Sequence, residues 1–374
     1  MLADVDAASA IVAGENGALY GTKLIWLLLL LAVPLFVIQE VAGRTGVVTR
    51  KGLGQLSREK FGRRRAAFSA LPMAVVNILS FSIEYTGIAL GLEIFGIPAI
   101  LSIPVVFALN LLLVYERNYA KVEKVLLVIS VVLVAAFAIS GYYGVLKGVE
   151  FTPFYFVATP TFLFLIATNI GSTIEPFMLF YQPSATAEKE MKKEHLWAMR
   201  LETGLGALTS QVIIIIIGIA SIGVNPGAVD FVSVTVLASS LSPVAGNYAP
   251  VVFGIGLVSA GFLALIVISL GTAWGVTEAM GWNRKNRFRV YLLESAPALI
   301  ISLLPISLLK LTLGLLALDI LALIVPGAML GLIASDNALM GEYSLKGLNK
   351  MIFWTVLFLT VGGGLTSLIV LFWK

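Results

Sequence analysis

The sequence predicts an all-α polytopic membrane protein. Apolar residues make up 59% of the 374 residues and charged residues only 12%, whereas about a quarter of the residues of a soluble domain are charged. Apolar runs of about 20 residues, the length that crosses a bilayer as a helix, recur along the whole chain. Nearly all basic residues lie in the loops on one side of these runs. These three observations together indicate a bundle of transmembrane helices.

Ten complete membrane spans are predicted, and no linker or low-complexity tract separates them. Residues 1–20 precede the first span, but their apolar core is too short to cross a bilayer, and they lack the basic start and cleavage site of a signal peptide. We therefore expect one transmembrane domain over residues 1–374. The predicted spans are 22–43, 66–92, 98–116, 122–146, 155–181, 197–223, 249–279, 290–309, 314–334 and 350–373.

The distribution of Lys and Arg predicts the orientation of the chain. Of the 25 basic residues, all lie in the loops on one side of the spans except Lys23, Lys147, Lys310 and Lys374. Cytoplasmic loops of membrane proteins carry the excess of Lys and Arg, so this side is predicted to be cytoplasmic. The basic cluster at 63–65 is explained by orientation in the membrane, and we expect no nucleic-acid partner.

Several classes of chemistry are excluded by composition. The chain contains no Cys, which excludes disulfides, thiolate metal sites and Cys nucleophiles. Its single His, His195, excludes the usual His-rich zinc centres. No nucleophile–base pair or Gly-rich phosphate loop is found. We therefore expect neither an enzyme nor a bound cofactor.

The segment Thr168–Gln182, TNIGSTIEPFMLFYQ, combines an acid with helix-disrupting residues at membrane depth. Gly171, Glu175 and Pro176 lie within six residues of one another. Pro176 cannot donate to the helical hydrogen-bond ladder, and an unpaired carboxylate is costly in hydrocarbon. A helix interrupted at an acid is typical of ion or substrate sites in transporters, although a Pro-kinked helix with a capping Glu has the same local pattern.

An internal symmetry favours the transporter interpretation. The partial span at the start and the span at 155–181 are each followed by four full spans, which gives repeats at 1–146 and 155–334 and an additional helix at 350–373. Each leading element carries a mid-segment acid, Asp6 or Glu175. Five segments separate the two starts, so the repeats are inverted, as in secondary transporters that bind substrate at the bilayer midplane.

The chain resembles the Nramp (natural resistance-associated macrophage protein) divalent-metal transporters over essentially its whole length. This resemblance implies a LeuT-type fold of five plus five inverted helices and an eleventh helix. It is carried by YGTKLIWLLLL and the following loop up to GLGQL, by IEYTGIALGLEIFGIP and by ASDNALMGEY, that is, by Tyr20–Leu56, Ile83–Pro98 and Ala334–Tyr343.

The family motif of helix one, D-P-G-N, reads D-A-A-S here, so that Asp6 is kept and Ser9 replaces Asn. In helix six the family motif M-P-H reads E-P-F: Glu175 stands at the Met position, Pro176 is kept and Phe177 replaces His. Gln182 replaces a second family His. Because the chain begins shortly before Asp6, the resemblance implies that the first half of helix one is missing.

Carried over residue by residue, the family ligand set implies a metal site in this chain. Asp6, Ser9 and Glu175 would supply side-chain ligands, and Ala3 and Ser172 would supply backbone carbonyls. A thioether selects soft metals, whereas carboxylates suit Mg²⁺, Mn²⁺ or Ca²⁺. The exchange of Met for Glu175 therefore predicts a preference for hard cations and resembles the magnesium-carrying, Nramp-related branch.

The resemblance also has a consequence for the coupling of metal transport to protons. Family acids along helix three correspond to Ala74 and Phe81 here, and only Glu84 remains. Asp319 lies one position from a helix-ten Gln that approaches the metal in the family, and it is either a partner of the site or a helix-cap residue near the outer end of its span. We expect Glu84 and Asp319, together with Phe177 and Gln182, to act in coupling or around the metal, and we expect transport without ordinary proton symport.

Two alternatives remain from the sequence. One is the standard family activity, proton-coupled uptake of Mn²⁺ and Fe²⁺. The other is a LeuT-type carrier of a small organic cation, because two acids without a nearby basic residue favour a cation. In each case we expect a monomeric, multi-pass protein of a prokaryotic plasma membrane, whose partners are its cation and the lipid bilayer.

Overall fold

The computed structural model describes residues 4–115, 121, 124–125, 128–129, 131–132, 135, 150–152, 154–222, 249–306 and 308–372. These ranges are almost entirely helical and contain no β-strand. The helices are α1 (Ala7–Tyr20), α2 (Ile25–Thr49), α3 (Leu53–Phe61), α4 (Arg63–Glu93), α5 (Ala99–Tyr115), α6 (Pro160–Thr173), α7 (Pro176–Glu188), α8 (Leu196–Ala220), α9 (Ala249–Met280), α10 (Arg287–Ser302), α11 (Leu308–Ala334), α12 (Asn337–Met340) and α13 (Gly347–Phe372).

Seven segments among the described residues are long and apolar enough to cross a membrane, which confirms the predicted all-α polytopic class. They include α6 and α7 as one interrupted span, Pro160–Glu188. The predicted spans at 98–116 and 290–309 are shorter helices, of 17 and 16 residues. Pro305 lies three residues beyond the end of α10, and a helix tends to end before a proline. Most of the predicted span at 122–146 lies outside the described residues.

Close helix packing positions the two elements that begin or end in mid-membrane. Helix α1 lies so near α8 that a Cβ atom on Gly17 would be 1.8 Å from the carbonyl oxygen of Gly218. Helix α7 lies equally near α2, where a Cβ on Gly46 would be 2.3 Å from the Pro183 carbonyl oxygen. Glycine at these positions allows the backbones to approach, as is common between helices in membranes.

The ends of α2, α7 and α9 on the basic side are joined by polar contacts. Glu40 of α2 pairs with Arg44, at 3.2 Å, and with Arg200 of α8, at 2.8 Å. The Ser184 hydroxyl of α7 donates to the Glu278 carboxylate of α9 at 3.1 Å. The Glu40 pairs join α2 to α8, and the Ser184 contact joins α7 to α9 on the side of α7 remote from the interruption.

The Gly17 contact makes a testable prediction about stability. In Gly17→Ala the new methyl group meets the α8 backbone, which must move away, and we expect a loss of about 2 kcal/mol or more in the free energy of unfolding. Thermal unfolding of the purified protein in detergent measures this. Gly362→Ala is the matched control, since nothing lies within 4 Å of its added Cβ. Equal melting temperatures of the two variants would contradict the packing described for α1 and α8.

Candidate metal site

The site lies where α1 begins and where the α6–α7 span is interrupted. Pro176 is the first residue of α7, and it has no N–H for the Ser172 carbonyl four residues earlier. Ile174 and Glu175 between the two helices have extended backbones, with φ/ψ of −131°/96° and −94°/144°. The interruption therefore leaves the Ser172 carbonyl without its helical donor, as a backbone ligand requires.

The two predicted acids meet at this point. Asp6 and Glu175 are 2% and 1% exposed, and their carboxyl groups lie close enough to interact directly. Glu175 Oε2 is buried without a partner. Because two ionised carboxylates repel each other and only accept hydrogen bonds, a proton on one of the two groups would stabilise their approach. A divalent cation between them would neutralise the same two charges without that proton.

Asp6 is also the N-cap of α1. Its Oδ1 accepts a hydrogen bond from the Ser9 N–H at 2.7 Å, and Ser9 Oγ accepts one from the Asp6 N–H at 2.9 Å. This reciprocal arrangement is a capping box that fixes the start of the helix. Ser9 thus lies beside Asp6 as predicted, with its hydroxyl engaged in the cap, and its role as a metal ligand stays a prediction.

Glu84 of α4 holds the start of α1 from a second side. Its two carboxylate oxygens accept hydrogen bonds from the Ala7 N–H at 3.1 and 3.2 Å. The residue is 1% exposed. The predicted placement of Glu84 next to the site is therefore seen in the structure, and its contact is with the first turn of α1.

Asp319 contributes a further carboxyl from the middle of α11. It is 1% exposed, and neither of its side-chain oxygens has a hydrogen-bond partner. It lies within electrostatic range of both Asp6 and Glu175. A helix cap would require a position at the helix end, so the structure favours the interpretation that Asp319 lies next to the site.

The site is acidic and sparse. Within the described ranges, no Lys or Arg side chain forms an ion pair with these four acids. Also within these ranges, no group of three Asp, Glu or His side chains converges closely enough to hold a metal ion. A cation here would therefore be bound by about two carboxylates with backbone carbonyls or water, an arrangement that Mg²⁺ commonly accepts. The N-termini of α1 and α7 partly offset the negative charge.

The structure does not bring every predicted residue to this point. Phe177 is fully buried in the hydrophobic core, and Gln182 is half-buried against Gly43 of α2. Gly171 lies in the last turn of α6, two residues before the helix ends at Thr173, and faces Leu316 of α11; its part in the helix break stays a prediction. Ala3 lies outside the described residues.

Two buried polar pairs near the site escaped the sequence interpretation. Asp4, 1% exposed, accepts a hydrogen bond through Oδ2 from Gln211 Nε2 of α8 at 3.3 Å. Asn16 of α1 and Asn169 of α6 exchange two amide hydrogen bonds, of 2.8 and 3.0 Å. Polar residues within apolar runs were the available signal, but sequence gives no means of matching such partners across 153 or 207 positions.

Solved structures resemble this fold over nearly its whole length. The manganese transporter of Eremococcus coleocola, in complex with an aromatic bis-isothiourea compound, has a TM-score of 0.81 and 17% identity, covering 98% of this chain and 84% of that one. MhsT in complex with L-phenylalanine has a TM-score of 0.63 and 12% identity, covering 97% and 98%. Such identities show the fold alone, and they confirm the predicted LeuT-type class.

Curated relatives are similar in sequence. A divalent metal cation transporter MntH of Erwinia tasmaniensis is 23% identical over 283 residues, 72% of this chain and 67% of that protein. The MntH of Bacillus subtilis is 27% identical over 187 residues, which are 47% of this chain and 43% of that protein. Both relatives are named as transporters, in agreement with the prediction of a transporter that is not an enzyme and needs no cofactor.

The sequence model of a whole family also matches. The family described as natural resistance-associated macrophage protein-like, Nramp, matches residues 1–370. This match covers the interrupted helices and the acids between them. The chain is an integral, multi-pass membrane protein that belongs to the Nramp family.

Proposed function

We propose that this protein carries divalent metal cations across the membrane by alternating access, with hard ions of the Mg²⁺ and Mn²⁺ type favoured. The observation that carries the proposal is the buried contact between the Asp6 and Glu175 carboxyl groups at the helix interruption. Two buried acids without a basic partner require protons or a cation. A single divalent ion balances both charges.

The donor atoms support a preference for hard cations. The groups at the interruption are carboxylate oxygens and the free Ser172 carbonyl, and such oxygen ligands suit Mg²⁺, Mn²⁺ and Ca²⁺ rather than soft metals. No Met thioether stands at position 175. Asp319, with two unpartnered oxygens, adds negative charge close to the same point without being needed as a direct ligand.

The names of the similar proteins support divalent metal cations as the class of cargo, without a preference for Mg²⁺. The similar proteins from Erwinia tasmaniensis and Bacillus subtilis are divalent metal cation transporters by name, and that of Eremococcus coleocola is a manganese transporter. Mn²⁺ is named as the cargo of the Eremococcus coleocola protein, and it also suits the oxygen-rich donor set of this chain. The carrier of a small organic cation is not favoured by any of these observations.

The distribution of basic residues also supports a location and an orientation for the protein in the membrane. We place the protein in a prokaryotic plasma membrane as a monomer, with the basic loops in the cytoplasm, on the strength of the charge asymmetry. The inverted repeats 1–146 and 155–334 would move relative to each other around the cation. Labelling single cysteines introduced at Arg64 and at Glu93, on opposite ends of α4, tests this orientation in intact cells.

Glu175→Ala is expected to lower the uptake of Mn²⁺ and Mg²⁺ into proteoliposomes by about tenfold or more, because one of the two carboxylates is lost. Glu93→Ala is the matched control, since Glu93 is an exposed acid at the far end of α4. Initial rates over a range of cation concentrations measure the effect. Uptake that is equal in the two variants would overturn the proposed site.

Glu175→Met is expected to shift selectivity toward soft metals. A thioether in place of the carboxylate favours Cd²⁺ and weakens binding of Mg²⁺. Competition of each ion against Mn²⁺ uptake, in the original protein and in the variant, measures the shift. Strong Cd²⁺ competition with no Mg²⁺ competition in the unaltered protein would instead support the standard Mn²⁺ and Fe²⁺ activity of the family.

Transport is expected to be independent of an imposed proton gradient. Of the acids that the family carries along the helix corresponding to α4, only Glu84 remains, since Ala74 and Phe81 stand at the other positions. Ordinary proton symport therefore lacks most of its acidic groups. The contrary mechanism is exchange, in which the metal expels a proton shared by Asp6 and Glu175 and the interior becomes alkaline during uptake. A pH dye inside proteoliposomes separates the possibilities. Cation uptake with no change of internal pH is expected, and acidification or alkalinisation that accompanies Mn²⁺ entry would contradict uncoupled transport.

A further inference from the structure

A second pair of oxygen-bearing side chains lies next to the metal site without a role in it. Asp4 precedes Asp6 by two residues, and Gln211 is on α8. Their side chains are 1% and 0% exposed. Asp4 Oδ1 and Gln211 Oε1 have no hydrogen-bond partner, and the contact between Asp4 Oδ2 and Gln211 Nε2 is long, at 3.3 Å.

A buried oxygen atom without a hydrogen-bond donor lowers the stability of the folded protein unless another group interacts with it. Leaving a buried polar atom unsatisfied costs roughly 1–3 kcal/mol, and more for a charged group. Among the described residues, no Lys, Arg or His side chain pairs with Asp4. Asp6 repels its charge, and the amino terminus of the chain attracts it. The two unsatisfied oxygens are acceptors, so a cation could bind them whereas a further acceptor could not.

The two side chains lie close enough together to share one ion. Gln211 Nε2 donates to Asp4 Oδ2 across 3.3 Å. A reversal of the Gln211 amide would turn its oxygen toward Asp4 in place of the N–H. The pair would then present oxygen atoms, the ligands that hard divalent cations prefer.

We propose that Asp4 and Gln211 form a second binding position for a hydrated divalent cation, beside the Asp6–Glu175 site on the α8 side. The proposal rests on the proposed function, because the same cargo would occupy both positions. Residues two apart in the chain have Cα atoms at most about 7 Å apart, so two bound ions would repel each other. Occupation of one position would then speed release from the other.

Binding of Mn²⁺ to the full-length chain in detergent, followed by calorimetry and electron paramagnetic resonance, tests this. We expect two binding events and dipolar broadening of the Mn²⁺ spectrum when both positions are filled. Asp4→Asn should remove one event and the broadening while the event that depends on Glu175 remains. Gln211→Glu, which adds a carboxylate opposite Asp4, should tighten the second event by about tenfold.

Four outcomes separate the two sites. Loss of one event in Asp4→Asn and tightening in Gln211→Glu support the second position. A single event in the unaltered protein, with an affinity that neither variant changes, overturns it and leaves the proposed function intact. Persistence of both events in Glu175→Ala, with loss of one in Asp4→Asn, overturns the Asp6–Glu175 site and supports the second position. Gln55→Glu at a half-buried position of α3 controls for added charge; tightening in this control equal to that in Gln211→Glu overturns a local effect.

Discussion

The contact between Asp6 and Glu175 is the constraint on which the rest of the structure depends. Two acids buried to 2% and 1% exposure cannot both remain charged without a partner, since the bilayer interior gives little screening. Placing them together is favourable only when a proton or a cation lies between them. An arrangement that would destabilise a purely structural bundle is therefore a reasonable one for a protein that binds and releases a cation.

The helix interruptions make this contact possible. An unbroken helix through residues 174–175 would pair every carbonyl with an N–H and offer nothing to a cation. Pro176 removes one of those donors, so the Ser172 carbonyl becomes available beside Glu175. The start of α1 acts in the opposite sense, because its free N–H groups bind the carboxylates of Asp6 and Glu84. The Ser172 carbonyl, which can accept a cation, and the N–H groups that bind the carboxylates of Asp6 and Glu84 thus lie at the same level of the bundle.

Sequence was sufficient for the parts of this arrangement that depend on local chemistry. Pro176 and its preceding acid predict the interruption, and the inverted order of spans places Asp6 beside Glu175. The partners of Asp4 and Asn16 could not be predicted, because the spans are apolar on nearly every side and give little indication of which face meets which neighbour. The part of Gly171 is not decided by sequence either, because a glycine in a membrane helix serves either a break or a close approach to a neighbour. In the structure it lies two residues before the end of α6.

The two halves of the interrupted span are attached to different neighbours. Helix α6 is joined to α1 by the reciprocal amide contact of Asn16 and Asn169. Helix α7 is joined to α9 through Ser184 and Glu278 and packs on α2 at Gly46. Motion of one half therefore need not carry the other with it. Because Glu175 lies at the joint and Asp6 lies at the start of α1, which is bonded to α6, a relative displacement of the halves would change the distance between the carboxyls, and with it the affinity of the proposed site for a cation.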